Sequence, residues 1–427
     1  MLMSKNLPVE WSKNLTIYEV NLRHYTKSGT FKEFETHLPR LQSLGVGILW
    51  FMPIQPIGLK ERKGTLGSYY SIKDYCAVDP QYGTIEEFTA LVEKIHSMGM
   101  YVILDWVANH TSWDNDLTKT HRHYYTCNER GELKPPNKEW TDVVELNYKE
   151  PELRRYMVEA MKFWINRTDI DGFRCDMANL VPTDFWEFAR KELDQVKPLF
   201  MLAEAEQREL LEGAFDAIYN WNLFHAMNRI GKGESNAWDI STKLDYEIFQ
   251  FPSHAYQLMF TSNHDENAWN GTELERLNYG LETFTVLYFT LTGIPLIYSG
   301  QEAANTKRLS IFEKDEIEWK DDKMFNLYSK LISLKKNTEA LWSGPYGGGL
   351  VVFDTRNGGS TLSYMRKDDD CKILVILNLS GHEQFAHLHD SRLEGYYHEI
   401  FTNQSFKIYD DYYFRLKPWE YIVMVSK

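Results

Sequence analysis

Between residues 16 and 300, short runs of apolar, β-branched and aromatic residues recur, most of them separated by a segment of helical periodicity. The runs are TIYEVNL (16–22), GILWFMP (47–53), YVILDWV (101–107), GFRCDMA (172–178), LFMLAEA (199–205), AFDAIYN (214–220), QLMFTSNHD (257–265) and PLIYSG (295–300). Segments such as FKEFETHLPRLQSLG (31–45) and IEEFTALVEKIHSMG (85–99) lie between them, each ending on Gly as helices commonly do. This alternation predicts parallel β/α units. Eight units in succession predict a closed (β/α)8 barrel of the TIM type rather than an open sheet. The apolar character of the strands agrees, because both faces of a barrel strand are covered.

Two stretches depart from the alternation. TSWDNDLTKTHRHYYTCNERGELKPPNKEWTDVVEL (111–146) is too long for an ordinary loop and too irregular for a helix, which predicts a small subdomain inserted after the third strand. After GPYGGG (344–349), the runs GLVVFD, STLSYMR, KILVILNLS and YIVMVS alternate with turn residues and carry no helical pattern. They predict an antiparallel β-sandwich. The expected organisation is an α/β barrel from 1–110 and 147–344, a subdomain at 111–146 and an all-β domain at 345–427.

In such barrels chemistry sits at the C-terminal ends of the strands. Those ends carry Asp105, Asn109 and His110, then Arg174 and Asp176, then Glu204, then His264 and Asp265. Each alone fits a structural part, as a helix cap or a neutralised pair. Gathered on one rim, they point to an active site. Ser299, in IYSGQE, lacks the Gly-x-Ser-x-Gly elbow of a nucleophilic serine, and no His-Glu-x-x-His suggests a catalytic metal. Carboxylates with one arginine suit glycoside cleavage, in which one carboxylate attacks the anomeric carbon and another protonates the leaving oxygen. Retaining enzymes hold these groups about 5–5.5 Å apart, and neighbouring strands are spaced about 4.7–4.9 Å. Asp176 and Glu204 are therefore the candidate nucleophile and acid. Arg174 shares the face of Asp176 and is expected to hold it ionised by lowering its pKa, with Asp105 bracing the guanidinium from the next strand. Phe173 and Cys175 should point into the helix layer. Glu206 shares the face of Glu204 but lies past the strand end, where solvent is expected.

A formal charge of −14, from 47 basic and 61 acidic residues, disfavours nucleic-acid and anionic-membrane partners. The 13 Trp and 26 Tyr suit ring contacts with sugars and equally an aromatic-rich core. Four widely spaced cysteines match no metal or redox pattern and are expected as free thiols. FTVLYFTLTGIPLIY (284–298) is shorter than a bilayer span and broken by Gly293 and Pro295, so a buried helix followed by a strand is expected there. MLMSKNLPVEW lacks the apolar stretch of a signal segment. A cytoplasmic location follows for the chain as written, or a periplasmic or secreted one if a leader has been removed. Nothing specifies an oligomeric state.

DWVANH (105–110), GFRCDMAN (172–179), MLAEAE (201–206) and FTSNHDE (260–266), in this order at strand ends, resemble the motifs of the α-amylase family, glycoside hydrolase family 13. YYSIKDYCAVDPQYGT (69–84) and VVELN (143–147) are weaker matches. The resemblance implies a retaining enzyme that cleaves α-1,4-glucosidic bonds of starch-like α-glucans or maltooligosaccharides through a covalent glycosyl-enzyme intermediate. It implies Asp176 as nucleophile, Glu204 as acid/base, and Asp265 as the group that orients sugar hydroxyls and stabilises the transition state. Arg174, His110 and His264 would line the subsite of the cleaved sugar, with Tyr70 stacking beneath it. A 4-α-glucanotransferase or an exo-acting α-glucosidase would use the same residues. A non-catalytic glycan-binding relative would have lost the carboxylates, and here all three are present. No cofactor is needed for the chemistry. A structural calcium near Asn109 is possible in the family, but Glu145 stands where Asp is usual. The Lys-His pair common after the nucleophile is replaced by Asn179 and Leu180, which departs from an endo-acting starch amylase. The C-terminal domain is expected to pack for stability, with Trp419 as the alternative, a platform for a second sugar.

Overall fold

The computed structural model describes residues 7–320, 322–355 and 357–426, with residues 246–250 described by backbone alone. In chain order its first ten strands are β1 (Ile17–Val20), β2 (Ile48–Phe51), β3 (Tyr101–Val107), β4 (His110–Ser112), β5 (Val143–Glu145), β6 (Gly172–Asp176), β7 (Phe200–Ala203), β8 (Ala217–Tyr219), β9 (Tyr256–Met259) and β10 (Ile294–Tyr298). Eight of these close into a parallel barrel in the order β1-β10-β9-β8-β7-β6-β3-β2, each arising from one of the predicted runs. β4 and β5 instead pair antiparallel in the inserted segment, with His110 opposite Glu145.

Alternation along the strands separates two cores. Inward residues such as Ile17, Ile48, Trp50, Ile103, Phe200, Leu258 and Leu296 fill the barrel. Outward residues such as Leu104, Trp106, Phe173 and Cys175 meet the helices. Asp105 and Arg174 fall on the inward face and stand in register on adjacent strands. Gly172 is required where β6 meets β7, since a Cβ there would lie 1.9 Å from the Phe200 carbonyl oxygen.

The segment 31–45 forms two helices, Phe31–Glu35 and Leu38–Leu44, not the single one its periodicity suggests. Pro39 has no N–H to continue a ladder, so it occupies the first turn of a new helix. The segment 85–99 behaves as expected: Ile85–Ser97 is one helix, opened by a Thr84–Glu87 capping box.

The last strands are β11 (Gly349–Phe353), β12 (Thr361–Lys367), β13 (Lys372–Asn378), β14 (Gln384–His389), β15 (Gly395–Glu399), β16 (Ser405–Ile408), β17 (Asp411–Leu416) and β18 (Tyr421–Ser426). They form a six-stranded antiparallel sheet, β11-β12-β13-β18-β15-β16, faced by the β14-β17 ribbon. Met365, Leu374, Ile376, Leu388 and Phe414 pack together as the core of this domain. Other sheet residues, among them Tyr364, Val375 and Val423, join the core of the barrel's helical layer. That burial explains helix Leu281–Thr290, which is apolar on almost every side. Trp419 is half-buried, its ring 5.8 Å from Phe284, and so packs on this helix instead of presenting a free face. The four cysteines are free thiols. Among the described residues no helix is long and apolar enough to cross a membrane.

Candidate active site

Arg174 organises the floor of the cleft. Its side chain is fully buried, and Nη1 donates to Asp105 Oδ1 at 3.0 Å and to Asp176 Oδ1 at 3.1 Å. Nη2 lies 2.8 Å from Glu204 Oε2, and Nε donates to the Tyr219 hydroxyl at 3.1 Å. Both candidate catalytic carboxylates therefore contact terminal nitrogens of one guanidinium. Glu204 stands one residue past β7, as the sequence suggested, and accepts a second bond from the Met177 backbone N–H at 2.8 Å. Met177 reaches that position through a left-handed backbone (φ 41, ψ 45), a costly conformation for a side chain with a Cβ. The strain falls on the residue after the candidate nucleophile, where it aims an N–H at the candidate acid.

One electrostatic expectation is overturned. Arg174 does favour the ionised form of Asp176, but burial and the Glu204 carboxylate outweigh it, and the Asp176 carboxyl is held well above its ordinary range. The physical reason is that one positive charge is shared among three buried carboxylates. Burial likewise raises Asp105 against the pull of Arg174. Such a cluster retains a proton, which suits chemistry that needs an acid and a nucleophile side by side.

The remaining predicted residues converge on the same rim. Tyr70 lies over His264 with ring centroids 5.2 Å apart, and its hydroxyl is 2.7 Å from His264 Nε2 and 3.2 Å from Asp105 Oδ2. Asp265 lies beyond the end of β9, with Oδ2 3.4 Å from His264 Nε2. Burial works to raise its carboxyl, yet the imidazole prevails and holds it below the ordinary range. His110 is buried and pushed down to about 4 by desolvation, so it is neutral near pH 7. Its ring stands 5.6 Å from Trp140.

Tyr70, His110, Asp176, Glu204 and Asp265 line a cleft of about 590 Å³ together with Lys63, Trp140, Asp142, Trp269 and Phe312, whereas Arg174 and His264, expected to line it, are buried behind its wall. Lys63 ties two walls together: Nζ pairs with Asp142 Oδ1 at 3.0 Å and donates to the Glu139 carbonyl at 2.7 Å. Leu180, on the turn after the candidate nucleophile, is 47% exposed and apolar. Glu206 is exposed to solvent. Ser299 is buried and donates to the Glu19 carbonyl at 2.6 Å, which leaves it no part in the cleft.

Sequence reasoning missed Glu19, Trp50, Tyr219 and Met177. Trp50 Nε1 donates to Asp105 Oδ2 at 3.1 Å, and Glu19 contacts His264 from behind. The only available signal was a charged residue within an apolar strand, TIYEVNL. Glu145 is engaged by side chains of the inserted segment. Lys134 Nζ lies 3.1 Å from Glu145 Oε2, and the Thr126 hydroxyl donates to the same oxygen at 2.5 Å. Among the described residues no three carboxylate, imidazole or thiol groups are placed to hold a metal ion.

A parallel barrel with buried carboxylates around one arginine at its strand ends suits a sugar-cleaving class of enzyme. The model of the alpha-amylase catalytic domain matches residues 21–322. The chain therefore belongs to the α-amylase family and is a glycoside hydrolase. It is 24% identical to "Alpha-amylase 2" of Dictyoglomus thermophilum, over 92% of this chain and 74% of that protein. It is 28% identical to a cyclomaltodextrinase of a Bacillus species, over 80% of this chain but only 64% of the relative. The fold superposes on a maltogenic alpha-amylase from Thermotoga neapolitana with a TM-score of 0.90 and 30% identity, covering 97% of this chain and 99% of that one. An alpha-amylase from Lactobacillus plantarum gives a TM-score of 0.87 at 28% identity, covering 98% and 100%.

Proposed function

We propose that this enzyme hydrolyses α-1,4-glucosidic bonds of maltooligosaccharides and starch-like α-glucans with retention of anomeric configuration. With the proton the cluster retains placed on Glu204, the Asp176 carboxylate attacks the anomeric carbon while Glu204 gives that proton to the departing glycosidic oxygen. Glu204, now a base, then takes a proton from the water that breaks the glycosyl-Asp176 ester. Asp265, backed by His264, holds ring hydroxyls of the sugar being cleaved, above Tyr70. His110, neutral and at the cleft edge, exchanges hydrogen bonds with another hydroxyl.

The observation that carries this reading is the shared guanidinium. Retention needs the two carboxylates close enough to act on one acetal from opposite sides, and Arg174 contacts both. The names of the relatives, alpha-amylase, cyclomaltodextrinase and maltogenic alpha-amylase, support the choice of α-glucan. The test is incubation with maltoheptaose, reading products by chromatography and the newly released anomer by NMR. Shorter maltooligosaccharides released first as the α-anomer are expected, with turnover lost in Asp176→Asn. Chains longer than the substrate would replace hydrolysis by glucanosyl transfer. Release of the β-anomer, or undiminished turnover by Asp176→Asn, would overturn the assignment.

A further inference from the structure

Glu19 is a carboxylate inside the barrel that the proposed reaction does not use. It lies on β1, is fully buried, and approaches the imidazole of His264 from the side away from the cleft. Oε1 is 2.5 Å from Nδ1, in direct contact. Oε2 is buried with no hydrogen-bond partner. An isolated buried carboxylate is costly, so its retention calls for a charged neighbour. Among the described residues the cationic candidate it pairs with is the imidazole.

The other groups facing His264 are equally defined. Tyr70 Oη lies 2.7 Å from Nε2 and in turn donates to Asp105 Oδ2. Asp265 Oδ2 lies 3.4 Å from Nε2. The Trp50 ring packs edge-on at 6.1 Å. Arg174 and Asp105 act on the pair Glu19–His264 from the barrel floor. Nδ1 thus faces one carboxylate, and Nε2 faces a second carboxylate and a hydroxyl already engaged as a donor. With the Tyr70 hydroxyl donating to Asp105, protons on both ring nitrogens satisfy all of these partners.

We infer that Glu19 is a positioning residue: it fixes the ring of His264, accepts the hydrogen bond of Nδ1–H and pairs with the ring as a cation, so that Nε2–H is held toward Tyr70 and Asp265 at the cleft wall. The imidazolium also explains why the Asp265 carboxyl, half-exposed at the cleft, is held below its ordinary range. Burial disfavours the charged ring, but the flanking Asp265 and Glu19 carboxylates reverse the balance and raise its pKa well above the ordinary range. Glu19 is itself raised by desolvation, against the pull of His264.

This inference rests on the glycoside-cleaving site proposed above, and its test separates the two. Imidazole ¹⁵N shifts of His264, assigned with His264→Asn, are recorded from pH 5 to 9 in the wild-type enzyme and in Glu19→Gln. Both nitrogens are expected to stay protonated through pH 8 in the wild type. In Glu19→Gln the ring should titrate inside the window, and the alkaline limb of kcat/KM on maltoheptaose should move down with it. A loss of kcat between about tenfold and a hundredfold is expected, as for other partners that fix an imidazole's orientation. A singly protonated wild-type ring at pH 7 would overturn the inference without any variant. So would an unchanged ring titration in a folded Glu19→Gln. If the wild type leaves maltoheptaose intact, the proposed substrate fails, while the ring titration still reads Glu19.

Discussion

Two arginines of this enzyme are buried to the same degree and behave as opposites. Arg174 faces Asp105, Asp176 and Glu204, and its charge is reinforced until it cannot be lost. Arg366, on β12, faces carbonyls: Leu291 O at 2.5 Å, Gly348 O at 3.0 Å and Trp342 O at 3.2 Å. No ion pair forms there among the described residues, and burial brings Arg366 down to about 10. Lys335 repeats the pattern nearby, donating to Gly293 O and Leu341 O. Ringed by carboxylates, a buried cation sets where protons reside. Ringed by carbonyls, it joins chain segments, here the C-terminal sheet to the underside of the barrel.

The comparison can be broken from either side. The largest effect is expected for Arg174→Met, with kcat/KM on maltooligosaccharides lowered on the order of 10³-fold, and a cooperative melt retained. Arg366→Met should do the reverse. It leaves several buried carbonyls unpaired and should cost about 2–4 kcal/mol in urea unfolding, with kcat/KM within twofold at 25 °C. If Arg366→Met lowered activity as much as Arg174→Met, the two sites would not differ in kind.

Buried imidazoles supply the next test. His24 donates from Nε2 to Ser310 O at 2.8 Å and accepts at Nδ1 from the Asp315 N–H at 3.0 Å, so it is bound as the neutral form. Desolvation brings His24, like His110, down to about 4 from an ordinary 6.5. Between those values the unfolded chain binds more protons than the folded one. Stability should therefore fall as pH drops from 6.5 to 4, by roughly 1.4 kcal/mol per unit for each ring. Urea midpoints across that range check it, and His24→Gln should shallow the slope. The smallest effect is expected at the domain junction, where Trp419→Ala should cost about 1–2 kcal/mol and leave retention on immobilised amylose unchanged. Weakened retention would restore Trp419 as a sugar platform.

Asp105, Arg174, Asp176, Glu204 and Asp265 were legible because barrel topology converts a position at a strand end into a position on one rim. Their partners were not. Glu19 reads as a stray charge until β1 and the loop after β9 are brought together, and Met177 shows nothing of its left-handed backbone in its side-chain type. The raised Asp176 carboxyl escaped for a related reason: Arg174 and Asp176 are neighbours in sequence, whereas the competing carboxylates arrive from β3 and the end of β7. In the C-terminal domain the strands were plain from alternation. The β14-β17 ribbon and the bolting role of Arg366 required knowing which sheet face meets the barrel.

The closure of the barrel through β1 and β10 has a consequence for biosynthesis. Glu19 leaves the ribosome 245 residues ahead of the imidazole it touches, and the ring around both is sealed only when the last stave, β10, emerges. A nascent or truncated chain ending before that point lacks a closed wall behind His264, so hydrolytic competence should arrive late and all at once, not growing with chain length.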